Sequence, residues 1–80
     1  MDDAELVRRI NELADEEHRL ERSHAARALS DEDHERLQGI EIALDQCWDL
    51  LRQRRARRST GQDPDQAAVR PADVVENYQQ

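Results

Sequence analysis

Residues 37–51 read Leu-Gln-Gly-Ile-Glu-Ile-Ala-Leu-Asp-Gln-Cys-Trp-Asp-Leu-Leu, with Leu37, Ile40, Leu44, Cys47 and Leu51 separated by three and four positions. That rhythm is the apolar stripe of a helix lying against a neighbour. A second stretch has the same rhythm: in residues 6–20, Leu6, Ile10, Leu13, Glu17 and Leu20 alternate four and three, and His24 extends the line. Between the two stripes, Leu29 precedes Ser30, and Ser30 is followed three residues later by Asp33. A serine hydroxyl in that place accepts from a backbone amide of the first helical turn, which marks a helix start. His34 stands where an apolar staple residue is usual. The pattern therefore predicts helices over about Asp3–Arg27 and from just after Ser30 to about Arg58, with Gly61 as the C-terminal stop.

A short connection makes the two helices antiparallel. With the turn near Leu29, the stripes pair Leu20 with Leu37, Leu13 with Leu44, Ile10 with Cys47 and Leu6 with Leu51. The fold class is all-α: an antiparallel helical hairpin over residues 1–60, followed by a C-terminal tail over 61–80. On a helical projection, Trp48 falls on one side of the second stripe, whereas Ala43 and Leu50 fall on the other. One partner helix cannot cover both flanks. The expectation is a second interface, formed by a homodimer arranged as a four-helix bundle or by an unidentified protein partner, through Gly39, Ala43, Cys47, Trp48 and Leu50.

Gly39, Ala43 and Cys47 form an i, i+4 ridge of small residues. A mid-helix glycine costs about 1 kcal/mol relative to alanine, so either a neighbour uses the space or the position is tolerated at the surface. After Gly61, Asp63-Pro64 and Arg70-Pro71 each suit a turn or a short helix start. Val69, Val74, Val75 and Tyr78 make the tail too apolar for a solvated linker, and Val74 with Tyr78 has the spacing of a docking pair. The tail is expected to lie against the bundle.

At 80 residues the chain forms one small domain with much of its surface exposed. Its aromatic residues are one Trp and one Tyr, so aliphatic side chains must fill the core. Twelve cations, all of them Arg, against nineteen carboxylates give a formal charge of −7, which argues against general nucleic-acid binding. A single cysteine excludes an internal disulfide, the first residues are acidic, and no apolar run approaches the ~20 positions of a membrane span. A cytoplasmic protein with no membrane association is expected.

No Gly-rich phosphate loop, zinc spacing or Ser-His-Asp set is present, so neither catalytic residues nor a cofactor or metal are expected, and the chain reads as a non-enzyme. Two constellations are weighed beside that. Glu17, Glu21 and His24 share one side of the first helix, and Glu21 to His24 has the Glu-x-x-His spacing of carboxylate-bridged metal sites in bundles. The same residues can instead pair with Arg19 or Arg27 where the stripe meets solvent. The spacing also recurs at Asp15-x-x-His18 and Asp31-x-x-His34 without an apolar setting. Arg52, Arg54, Arg55, Arg57 and Arg58 form a basic cluster that would suit RNA or an acidic ligand. As structure, the cluster complements the helix dipole and, in the hairpin, meets the acidic start of the first helix.

The run Leu44-Asp45-Gln46-Cys47-Trp48-Asp49-Leu50-Leu51-Arg52-Gln53-Arg54-Arg55-Ala56 resembles a family of small actinobacterial proteins, domain of unknown function 2630. Asp15-Glu16-Glu17-His18, Gly61-Gln62-Asp63-Pro64-Asp65, Val69-Arg70-Pro71 and Val74-Val75-Glu76 are similar to it as well. The resemblance implies an intracellular actinobacterial protein and supplies no activity and no catalytic residue.

Overall fold

Apolar residues at three- and four-residue spacing wind into two helices because only a helix gathers them on one side. The computed structural model describes residues 2–78, with side chains as far as Val75. Helix α1 spans Asp3–Ala26 and α2 spans Asp31–Ser59; a 3-10 turn follows at Pro64–Gln66, then α3 at Ala72–Tyr78. No strand occurs among the described residues. The hairpin is elongated, with extents of 50 × 25 × 17 Å.

Each boundary has a local cause. Asp2 caps α1, accepting from the Glu5 amide at 2.8 Å. Ser30 caps α2, accepting from the Asp33 amide at 3.1 Å, as its spacing predicts. At the far end, Gly61 has φ +76°, the left-handed conformation that glycine adopts without a Cβ clash. The Gln62 amide then donates to Arg57 at 2.7 Å and the Gly61 amide to Arg58 at 3.2 Å, the Schellman closure that satisfies carbonyls of the last turn. In the tail, Asp63 accepts from the Asp65 amide at 2.9 Å with Pro64 as first residue of the 3-10 turn.

Leu6, Ile10, Leu13, Ile40, Leu50, Leu51 and Val75 are the buried apolar side chains among the described residues. Leu6, Ile10, Leu50 and Leu51 form one cluster, with Leu44, Cys47 and Ala67 packed against it. The core thus sits at the open end of the hairpin, where the tail returns. Leu20, Leu29 and Leu37, at the turn end, are only half-buried.

The tail packs on α2: both the 3-10 turn and α3 lie against that helix. Its apolar anchor is Val75, fully buried, whereas Val74 is 42% exposed. The expected Val74–Tyr78 docking is therefore replaced at its first member, because the short helix turns the next residue inward; the Tyr78 side chain lies outside the described residues.

A chain with so few buried side chains depends heavily on each. Leu51→Ala is expected to lower unfolding stability by about 3 kcal/mol, the cost of a lost core leucine plus its cavity, measured by urea denaturation followed by circular dichroism.

Candidate interaction surface

The two flanks of α2 differ in what covers them. On the Ala43–Leu50 side, Leu50 is only 9% exposed. Leu6, Arg9, Ala43, Gln46, Cys47, Leu50 and Val69 line one small depression there, so α1, α2 and the tail converge on it. The broad stripe on this side is satisfied by the chain's own C-terminal segment.

The tail is held by polar groups as much as by Val75. Asp49 is 1% exposed and accepts a two-pronged bond from Arg70, through Nε at 2.9 Å and Nη2, and another from Gln53 Nε2 at 2.9 Å. Gln53 Nε2 also donates to the Ala68 carbonyl at 2.9 Å, and Gln46 Nε2 to the Arg70 carbonyl at 3.2 Å. Gln46, Asp49 and Gln53, at three- and four-residue spacing on one side of α2, thus bind extended backbone and its one guanidinium.

Arg54, also buried, joins three segments. Its Nε donates to Asp3 Oδ1 at 2.6 Å, and its Nη1 donates to the Pro64 carbonyl at 3.2 Å and to Asp65 Oδ1 at 2.9 Å. Arg58 donates to the other oxygen of Asp3. Part of the arginine cluster is therefore turned inward, toward the acidic start of α1. No buried side-chain polar atom among the described residues lacks a hydrogen-bond partner.

These bonds shift titration. The Arg70 bond lowers the pKa of Asp49 by more than burial raises it, and Gln53 adds to the lowering. Asp3 is lowered likewise, first by its bond from Arg54. Near the turn, the Arg36 fork on Glu16, with both bonds at 2.7 Å, holds the Glu16 carboxyl down. Burial pushes the Cys47 thiol up, which suits a packed side chain rather than a nucleophile.

The opposite flank is open. The helices are antiparallel and right-handed, so residues displaced in the same rotational sense from the two seams share one side of the hairpin. Arg9 and Glu16 of α1 lie on the tail side with Ala43 and Arg36. Val7 and Trp48 therefore lie together on the other side, 38% and 44% exposed.

The five residues expected at an interface are thus separated. Leu50 joins the core, Ala43 and Cys47 are half-buried between α1 and the tail, Trp48 is exposed, and Gly39 is exposed. A Cβ built on Gly39 meets nothing within 4 Å, so no neighbour in the chain uses its space.

The candidate metal residues do not converge either. Glu21 lies 3.9 Å from His18, and His24 meets His34 edge to face, with ring centroids 6.3 Å apart. Among the described residues no group of three or more His, Cys, Asp or Glu side chains is placed to hold a metal ion. No described helix is long and apolar enough to cross a membrane.

Sequence reasoning passed over Asp49, Gln53 and Arg70 as a tail latch. The signal available was the 3–4 spacing of Gln46, Asp49 and Gln53 on the side of α2 opposite its apolar seam, together with Arg70 as the lone cation of the tail.

Comparison with known proteins agrees along the whole length. The family described as Protein of unknown function (DUF2630) matches residues 2–80. Uncharacterized proteins of Mycobacterium bovis and Mycobacterium tuberculosis are each 52% identical over 77 residues, covering 95% of this chain and 88% of theirs. No solved structure matches.

Two measurements check this assignment. Because Asp49 and Asp3 bind protons less readily folded than unfolded, they stabilise the fold at neutral pH. Below the ordinary carboxylate value of about 4 the unfolded chain takes up protons first, and that stabilisation is lost as pH falls through the lowered folded-state values. The melting temperature should drop as pH falls from about 5 to about 2, less steeply in Asp49→Asn, whose neutral amide lacks that proton linkage. Separately, Gly39→Ala should raise unfolding stability by about 1 kcal/mol, since the methyl meets open space and removes a helix-interior glycine.

Proposed function

We propose, from the premise that the chain belongs to the family Protein of unknown function (DUF2630), that it is a small self-associating helical module with a structural rather than catalytic role. Its contact face is the flank of Trp48. The observation that supports this reading most directly is the 44% exposure of Trp48, on the flank of α2 away from the depression lined by Ala43 and Leu50. A lone exposed apolar residue is ordinary at a protein surface. A tryptophan near the middle of a bare helix flank, with Val7 beside it, is the type of residue that anchors interfaces. The slender core adds a second reason: a hairpin with one strapped side gains from burying the remaining one.

The unequal cover of the two flanks also decides which residues matter. Ala43, Cys47 and Leu50 serve the chain's own tail, and Trp48 is left for the second copy. Sedimentation equilibrium between about 1 and about 200 µM, a range spanning typical weak-dimer affinities, should show the mass rise from 9.3 kDa toward twice that value. Trp48→Ala should remain a helical single chain over the same range. A native chain that keeps single-chain mass throughout, while melting cooperatively, would overturn the proposal.

A further inference from the structure

We infer that the second copy packs α2 against α2 in antiparallel sense, about a two-fold axis passing at Trp48. This rests on the self-association reading and specifies the surface that carries it. The Trp48 flank of α2 presents Glu41, Asp45, Trp48, Arg52 and Arg55, spaced four, three, four and three, and Arg52 also borders the tail, lining one depression with Asp49, Gln53 and Arg70. At 100° per residue these five fall within an arc of about 80°. Glu41, Arg52 and Arg55 are exposed, as Trp48 is, and Asp45 is half-buried. None of the four charged members makes a salt bridge among the described residues. Two carboxylates therefore lie on the N-terminal side of Trp48 and two guanidinium groups on the C-terminal side.

That arrangement is self-complementary under one symmetry. In an isologous antiparallel contact the numbers of facing residues have a constant sum. With Trp48 on the axis, Glu41 faces Arg55 of the second copy, and Asp45 faces Arg52 within one position. Each pair occurs twice. A parallel contact would instead set carboxylate against carboxylate and guanidinium against guanidinium, which is repulsive on both sides of the tryptophan. The antiparallel overlap runs from Leu37 to Ser59, about 34 Å of helix axis.

Helix α1 does not obstruct the approach. On the same side of the hairpin it offers Ala4, Val7, Asn11 and Ala14, spaced three, four and three, without a charged side chain among them. A second copy can therefore lie over both helices beside the tail, whose Arg70 is held by Asp49 about 40° further round α2 than Asp45.

Two charge variants test the pairing. Glu41→Arg with Asp45→Arg makes the flank wholly basic, and Arg52→Glu with Arg55→Glu makes it wholly acidic. Each alone should self-associate at least about tenfold more weakly than the native chain, with helical circular dichroism unchanged. An equimolar mixture should form a mixed dimer at native-like concentrations. Independently, Trp48→Cys in a Cys47→Ala background should give a disulfide-linked dimer under mild oxidation, because the axis sets position 48 against itself. Variants that dimerise as the native chain does, or a mixture that fails to associate, would overturn this pairing while leaving self-association standing. A native chain that is monomeric at every concentration would overturn both.

Discussion

The Arg54 guanidinium, enclosed between the first turn of α1, the last turns of α2 and the 3-10 turn, is the contact on which the arrangement of the chain depends. A buried cation is costly unless its donors are satisfied, and its Nε and Nη1 donors are met by Asp3, the Pro64 carbonyl and Asp65. Those acceptors come from two segments, the start of α1 and the 3-10 turn, and the donor from a third. The hairpin register, the exit direction of the chain after Gly61 and the return of the tail must therefore agree at one point. Asp49 and Arg70 repeat the device one and a half turns earlier on α2. Here the cation lies on the tail and the carboxylate on the helix.

Apolar burial alone would leave that tail loosely placed. Ala67 and Val75 are modest side chains, and an aliphatic contact is non-directional. The hydrogen bonds from Gln46 and Gln53 to tail carbonyls, with the Arg70 fork on Asp49, fix its register along α2. The mixture also explains why an 80-residue chain with so few large apolar residues can hold a third layer of structure: polar groups supply position where the core cannot.

How far this was legible depends on the range of each interaction. Local signals read through directly: Ser30 with Asp33 for a helix start, Gly61 for a helix end, and the Leu6–Ile10–Leu13 stripe for the seam. The arginine cluster was also readable as partner to the acidic start of α1, because the hairpin brings Arg54 and Arg58 to Asp3. The tail latch was not, since Asp49 and Arg70 are far apart in sequence and nothing local distinguishes a buried ion pair from two surface charges. For the same reason the excess width of the α2 stripe was readable, but not its division, in which Leu50 goes to the tail and Trp48 stays outside. Val75 in place of Val74 is a phase error of one residue, set by where a short helix after Pro71 begins.

The two flanks of α2 then follow different rules. The tail side has an amide–carboxylate–amide row suited to binding backbone of undirected sequence, and it is filled from within the same chain. The Trp48 side has no amide row; its charges are segregated by sign along the axis. A surface made for solvation alone has no need to segregate them, and at a net charge of −7 the general force between two copies is repulsive. The proposed association would then have to come from local complementarity strong enough to offset that repulsion. Such complementarity would admit one orientation and reject the reverse, so the charge that opposes indiscriminate clustering would also select the proposed antiparallel pair.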